Sequence, residues 1–338
     1  MSDELLLFEF VEFDNNDSSS QRQRRLKRRR LIRELSDPFV ELDDTEFIQR
    51  YRLTKQLATE LCNELRPKFK KAKKSTDLSV ESKILTALSF YATGSYQRPV
   101  GDINAHSLAQ QTVSSVIREV TRWCIDCTHI AIVRPVENEE RFYSRKQYHS
   151  LNVQLVCDAD MQITSVDVSY GGSTHDAFIW NAHPVKSHLE HINESTWLLG
   201  DSGYPLRKFL MTPIINAAPD TPESHYTDIH VRTRNIIERT IGLLKARFRC
   251  LLVHRVLHYK PGMAGSITNA CVILHNICNK ANISVTNLSN EDMLREAQLQ
   301  IAVTEADSEG TSTNTQALQQ GIAIRNALVH RLWDARRI

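Results

Sequence analysis

Two pieces, TWLLGDSGYPLRKFLMTPI at 196–214 and HVRTRNIIERTIGLLKARFRCL at 230–251, decide how the chain is read. In the first, an apolar run from Trp197 to Leu199 leads straight into Gly200-Asp201-Ser202-Gly203-Tyr204-Pro205. A short apolar run stopped by turn residues predicts a buried strand that ends on a carboxylate. In the second, Ile237, Ile241, Leu244 and Phe248 fall at i, i+4, i+7 and i+11, one apolar helical stripe. Arg234, Glu238, Gly242, Lys245 and Arg249 share a neighbouring face at steps of three or four. Core packing does not explain a lone glutamate on a basic face. A face that meets phosphate, with the glutamate holding a divalent cation, does.

The bulk composition is consistent with that chemistry. The 338 residues are enough for one large or two modest domains. The net charge of +2 hides an asymmetry. An acidic start (Asp3, Glu4, Glu9, Glu12, Asp14, Asp17) is followed by the basic run from Arg22 to Arg33, which includes Arg28, Arg29 and Arg30. Such a run reads as a phosphate-binding arm or a nuclear-import address, or, more blandly, as a solvated helix start. Seven cysteines at irregular spacing suit a reducing compartment. No apolar run approaches a membrane span, and the first residues lack a secretory pattern.

Taken in order, residues 1–36 read as a disordered acidic leader and basic arm. Residues 37–122 read as a helical domain that resembles a helix-turn-helix module, its last helix lying in SLAQQTVSSVIREVTRW. A plain helical bundle is the alternative. Residues 123–282 alternate strands and helices. A first strand around Cys124–Val133 carries Asp126. Strands at Tyr148–Val156 and Ile163–Tyr170 are joined by a hairpin at Asp158–Met161. A helix capped by Ser173 or Thr174 begins near Asp176, and the strand into Asp201 follows. Residues 206–230 read as a loop-rich connection. The Glu238 helix comes next, and a core helix runs from Ser266 to Lys280. The order β-β-β-α-β-α is that of an RNase H-like α/β fold. Residues 283–338 read as a polar linker and a terminal helix, about Gln316–Arg336, that docks or self-associates.

Phosphodiester cleavage needs an activated water and a stabilised anionic transition state. Two hard cations roughly 4 Å apart supply both, and hard cations want converging oxygen ligands. Asp126, Asp176, Asp201 and Glu238 sit at element ends where such a sheet would present them, with Asp158 in reserve. Any one of them alone is better read as a cap or turn residue. Cys124-x-x-Cys127 has zinc-like spacing but no second pair nearby, so these read as strand residues. Cys271, His275 and Cys278 lie on an apolar helix and read as core. No phosphate-binding glycine loop and no Ser-His-Asp signature is present.

The pieces IDCTHIAI, SRKQYHSLNVQLVCDAD, GGSTHDAFIW, LLGDSGYPL, RTRNIIERTIGLLKARFRCL and NACVILHNIC resemble the PIF/Harbinger superfamily of DDE transposases and its domesticated, nuclease-like members. The resemblance runs from about Phe47 to Cys278. It implies Mg²⁺- or Mn²⁺-dependent nuclease chemistry on DNA, with the catalytic acids falling on Asp126, Asp201 and Glu238 and the acid of the S-x-HD piece on Asp176. It further implies a nuclear and partly cytoplasmic protein with a Myb/SANT-like DNA-binding partner. A homo-oligomer is compatible with it. One departure stands out: the family places some tens of residues before its first catalytic strand, whereas here Trp123 runs directly into Cys124-Ile125-Asp126. Active transposition and a non-catalytic DNA- or protein-binding adaptor remain as alternatives.

Overall fold

A computed structural model describes residues 19–69, 78–94, 129–191, 197–285, 288, 290–292, 294–295 and 315–335. Five helices lead the described chain: α1 Ser19–Leu35, α2 Pro38–Glu41, α3 Asp44–Tyr51, α4 Lys55–Leu65 and α5 Val80–Thr93. Short polar side chains start α2 to α5. Asp43 accepts from the Glu46 amide at 2.8 Å while the Glu46 carboxylate accepts from the Asp43 amide, a reciprocal capping box. Thr54 caps α4, and Ser79 caps α5.

Helix α5 is buried all round from Ile84 to Ala92. An apolar helix of that kind must be covered on every side. Helices α3 and α4 cover part of it, and the turn at Arg249–Leu251 covers another part. Phe47, Tyr51 and Leu88 therefore share one apolar cluster with Leu244, Phe248, Ile267 and Cys271. Gly94 ends α5 at φ +60°, and a Cβ there would lie 2.8 Å from the Arg249 backbone. Only glycine suits that position. Residues 107–123, expected to complete a helix-turn-helix-like module, lie outside the described residues. So does Asp126.

The sheet that follows is antiparallel, in the order β1 (Ile130–Ala131), β2 (Ser150–Cys157) and β3 (Ile163–Gly171). The expected hairpin is present: Asp158 Oδ1 accepts from the Asp160 and Gln162 amides, each at 2.9 Å. Helix α6 (Asp176–Ala182) has His175 at its N-cap position. Ser173, expected as a cap, instead donates its hydroxyl to the Arg141 carbonyl. A further helix, α7 (Pro184–His191), follows. Strands β4 (Leu198–Leu199) and β5 (Leu210–Met211) pair in parallel, and among the described residues they form a separate two-stranded sheet.

Helix α8 runs 26 residues, Pro222–Arg247, and so begins eight residues before the end of the predicted loop. Pro222 lies within that expected loop and instead opens the helix. At the first helical position proline has no hydrogen bond to lose, and Thr221 caps the turn by accepting from the Ser224 amide. Helix α9, Pro261–Lys280, buries Cys271, His275 and Cys278 as core residues. Helix α10, Thr315–Ala335, docks rather than standing free. It packs on α8, Arg325 donates to the Thr212 carbonyl, and the Gly321 α-carbon lies against the Arg207 backbone so closely that a Cβ would approach to 3.1 Å. Among the described residues no helix is long and apolar enough to cross a membrane.

One buried charge ties these parts together. Arg247, 5% exposed, points Nη1 at His275 Nδ1 (3.1 Å) and the Asn279 side chain and donates from Nη2 to the Ile283 carbonyl (2.9 Å). Its own carbonyl accepts from Arg52 Nε at 3.1 Å. Replacing Arg247 by Met should leave buried acceptors unpaired and lower stability by about 2–4 kcal/mol in urea titrations. Burial, reinforced by Arg247, pushes the His275 imidazole down from 6.5 to about 4. The unfolded chain therefore binds this proton first. Stability is full above about pH 6.5 and is lost as the pH falls toward 4. His275→Gln should flatten that slope in urea titrations run between pH 4 and 7, and an unchanged slope would contradict the assignment.

Candidate active site

Strand β2 supplies the scaffold of the site. Asn152 and Gln154 are two residues apart, so both point to one face of the strand, and both are buried. Asn152 Nδ2 donates to the Thr174 carbonyl (2.7 Å) and to Asp176 Oδ1 (2.8 Å), which fixes a carboxylate on the first turn of α6. Gln154 Nε2 donates to the Tyr204 hydroxyl at 3.0 Å. Asp201 follows β4 after Gly200. Its Oδ1 accepts from the Gly203 amide (3.0 Å) and its carbonyl from the Tyr204 amide (3.2 Å), so the turn that holds the acid also brings in the tyrosine. The Tyr204 phenol is pushed well above its usual range, first by burial and then by the nearby charges of Asp176 and Asp201. It stays protonated, a neutral O–H between two acids.

Helix α8 forms the opposite wall. Thr233, Arg234, Ile237, Glu238, Ile241 and Lys245 face a cavity of about 530 Å³ together with Asp158, Asp176, Asp201 and Tyr204. Five predicted residues (Asp176, Asp201, Arg234, Glu238 and Lys245) and the reserve candidate Asp158 are thus brought to one space. Arg234 and Glu238 form an i, i+4 ion pair, in which the carboxylate is half exposed. A pair so exposed adds little stability, and water or a ligand can compete for it.

Arg249 departs from the expected basic face. Helix α8 ends at Arg247, so the four-residue step no longer holds, and Arg249 turns toward Asp292 at 3.8 Å instead of lining the cavity. Asp292 also meets His254 Nε2 at 2.9 Å. Arg28, Arg29 and Arg30 lie on α1, Arg28 exposed and the other two partly so, and none lines the cavity.

Five residues of the wall escaped the sequence reading: His129, Lys146, Asn152, Gln154 and Tyr204. The polar residues at alternate positions of an otherwise apolar strand, Asn152-Val153-Gln154, carried a signal that was open to reading. His129 Nδ1 meets the Ser150 hydroxyl at 3.1 Å. Burial lowers its pKa to about 4, and Lys146 and Lys245 push it the same way.

The donor set suits a hard cation in chemistry, since carboxylate oxygens dominate it. Among the described residues, however, no three acids, histidines or cysteines stand close enough to hold an ion between them. Asp158, Asp176 and Asp201 each accept from neutral donors, whereas Glu238 is turned to Arg234.

The residues that line the cavity lie within a segment that matches a known family. A profile of the DDE superfamily endonuclease matches residues 125–276, which contain Asp126, Asp176, Asp201 and Glu238. HARBI1 of Bos taurus and of Homo sapiens, both named as nucleases, are 32% identical over 243 residues, 60% of this chain and 68% of each relative. The Xenopus laevis protein of that name is 28% identical over 260 residues, 65% of this chain and 74% of its own. No solved structure matches. The chain belongs to the Harbinger transposase-derived family that includes HARBI1.

The Gln154–Tyr204 contact is testable through stability. A double-mutant cycle of Gln154→Ala and Tyr204→Phe in urea should give a coupling of about 1 kcal/mol. Simple additivity would show that the two side chains do not hold one another.

Proposed function

We propose that this chain is a divalent-metal-dependent endonuclease that cleaves DNA phosphodiester bonds on an RNase H-like domain. The observation that carries the reading is the approach of Asp176, Asp201 and Glu238 to one cavity inside the DDE-matched segment. Three antiparallel strands followed by two helices and a parallel pair are compatible with that topology. Asp126, Asp176, Asp201 and Glu238 would be the ligands of Mg²⁺ or Mn²⁺. When bound, such an ion supplies positive charge at the phosphate and acidifies water.

The chain's own residues have distinct tasks in this reading. Asn152 and the Gly203 amide orient the Asp176 and Asp201 carboxylates before any substrate arrives. Tyr204 keeps its proton and can donate a hydrogen bond to a carboxylate or to a phosphate oxygen. Glu238 has to leave Arg234 to act as a ligand, and the freed guanidinium can then meet a phosphate. Lys245 and the α1 arginines Arg28, Arg29 and Arg30 would neutralise DNA phosphates without reading sequence. The family reading extends to a nuclear and partly cytoplasmic location and to a Myb/SANT-like partner.

The Arg234–Glu238 pair also favours a second reading, a DNA-binding adaptor that has lost turnover. Plasmid cleavage in Mg²⁺ or Mn²⁺ separates the two. Wild type should nick or linearise DNA, and Asp201→Ala or Glu238→Ala should lower the rate by about 100-fold or more while keeping the fold. Binding without metal-dependent cleavage by wild type would favour the adaptor, and full cleavage by either variant would remove that residue from the site.

A further inference from the structure

Arg234 donates to the Glu238 carboxylate across one turn of α8, and both residues line the cavity shared with Asp158, Asp176 and Asp201. The Glu238 side chain is 55% exposed and the Arg234 side chain 25%, so solvent or a ligand can reach either group. An acid–base pair at i, i+4 is stronger with the acid first along the helix, and here the base comes first. That order and that exposure make the pair weak. Breaking it shifts an equilibrium about twofold and at most about fivefold. Its importance comes from where it stands. A guanidinium is the charge that a phosphate meets, and a carboxylate is the charge that a hard cation meets. While the pair is closed, one contact opposes the binding of both. A phosphate that takes Arg234 releases Glu238 for a cation, and a cation that takes Glu238 releases Arg234 for a phosphate. Linkage makes the effect equal in the two directions.

We propose that the Arg234–Glu238 pair couples the two ligands of this cavity, so that a DNA strand and a divalent cation each raise the affinity for the other. The proposal rests on the nuclease reading of the cavity and adds its regulation: the protein alone holds a cation less tightly than the protein with DNA seated. Arg234 is a positioning residue here. It acts through Glu238, holding that carboxylate until a phosphate takes its place.

The test keeps the two ligands apart, so that no cleavage can intervene, and uses the full-length chain throughout. An exposed pair adds little stability, so the variants keep the fold. In the first titration Mn²⁺ is added without DNA to wild type, Arg234→Gln and Arg239→Gln. Arg239 is exposed, adjoins Glu238 in sequence and does not line the cavity, so its variant reports the general effect of losing one positive charge. Arg234→Gln should tighten Mn²⁺ binding about two- to fivefold more than Arg239→Gln does. In the second, a fluorescent single-stranded oligonucleotide is titrated without metal. Glu238→Gln should tighten its binding by a similar factor, and that gain should shrink when Arg234→Gln is also present. Equal Mn²⁺ affinities in the two arginine variants, or an undiminished gain in the double variant, would overturn the coupling. Mn²⁺ binding by wild type with either of those results removes the coupling alone and leaves the nuclease reading in place. No Mn²⁺ binding by wild type or by Arg234→Gln removes both.

Discussion

The structure depends on a guanidinium buried where solvent cannot reach it. Arg247 closes the carboxyl end of α8 against α9 and the Ile283 carbonyl, and its own carbonyl is held by Arg52 at the end of α3. Burial lowers its pKa, and the hydrogen bonds to neutral acceptors keep the charge tolerable there. Because this anchor fixes one end of a 26-residue helix, the face carrying Arg234, Glu238 and Lys245 has a fixed place opposite β2. The docked α10 adds support at the other end: Trp333 meets His225 edge-on, and Arg331 lies over the Trp197 ring at the cavity wall.

The second layer of organisation is polar and lies on β2. An apolar strand that gives Asn152 and Gln154 to one face forgoes hydrophobic burial at two positions. The return is orientation: one amide holds Asp176, the other holds Tyr204 between two acids. A neutral donor leaves the net charge of a carboxylate unchanged, whereas an arginine partner offsets it. Asp201 accepts from the Gly203 amide, whereas Glu238 is paired with Arg234.

Much of this was legible in the sequence. The strand into Asp201 and the helix bearing Glu238 follow from turn chemistry and from a 3.6-residue stripe, which are local signals. The Asp158 hairpin and the core character of Cys271, His275 and Cys278 were readable for the same reason. The start of α8 was not, because Pro222 permits either a break or a first helical turn and only the Thr221 cap decides. Arg249 kept the helical spacing in sequence but lost it in space, since Phe248 leaves the helix and the following turn packs against Gly94 of α5. That long-range contact has no local trace. The roles of Asn152, Gln154 and Tyr204 depend on partners 24 and 50 residues away.

The most direct measurement is a calorimetric titration of Mn²⁺ into the full-length protein, wild type against Asp176→Asn and Asp201→Asn. These substitutions keep size and hydrogen bonding and remove one negative charge each. Saturable binding by wild type, lost in both variants without loss of fold, is the expected result. Equal binding by all three, or none by wild type even with DNA present, would contradict the assignment of this cavity as a metal-dependent nuclease site.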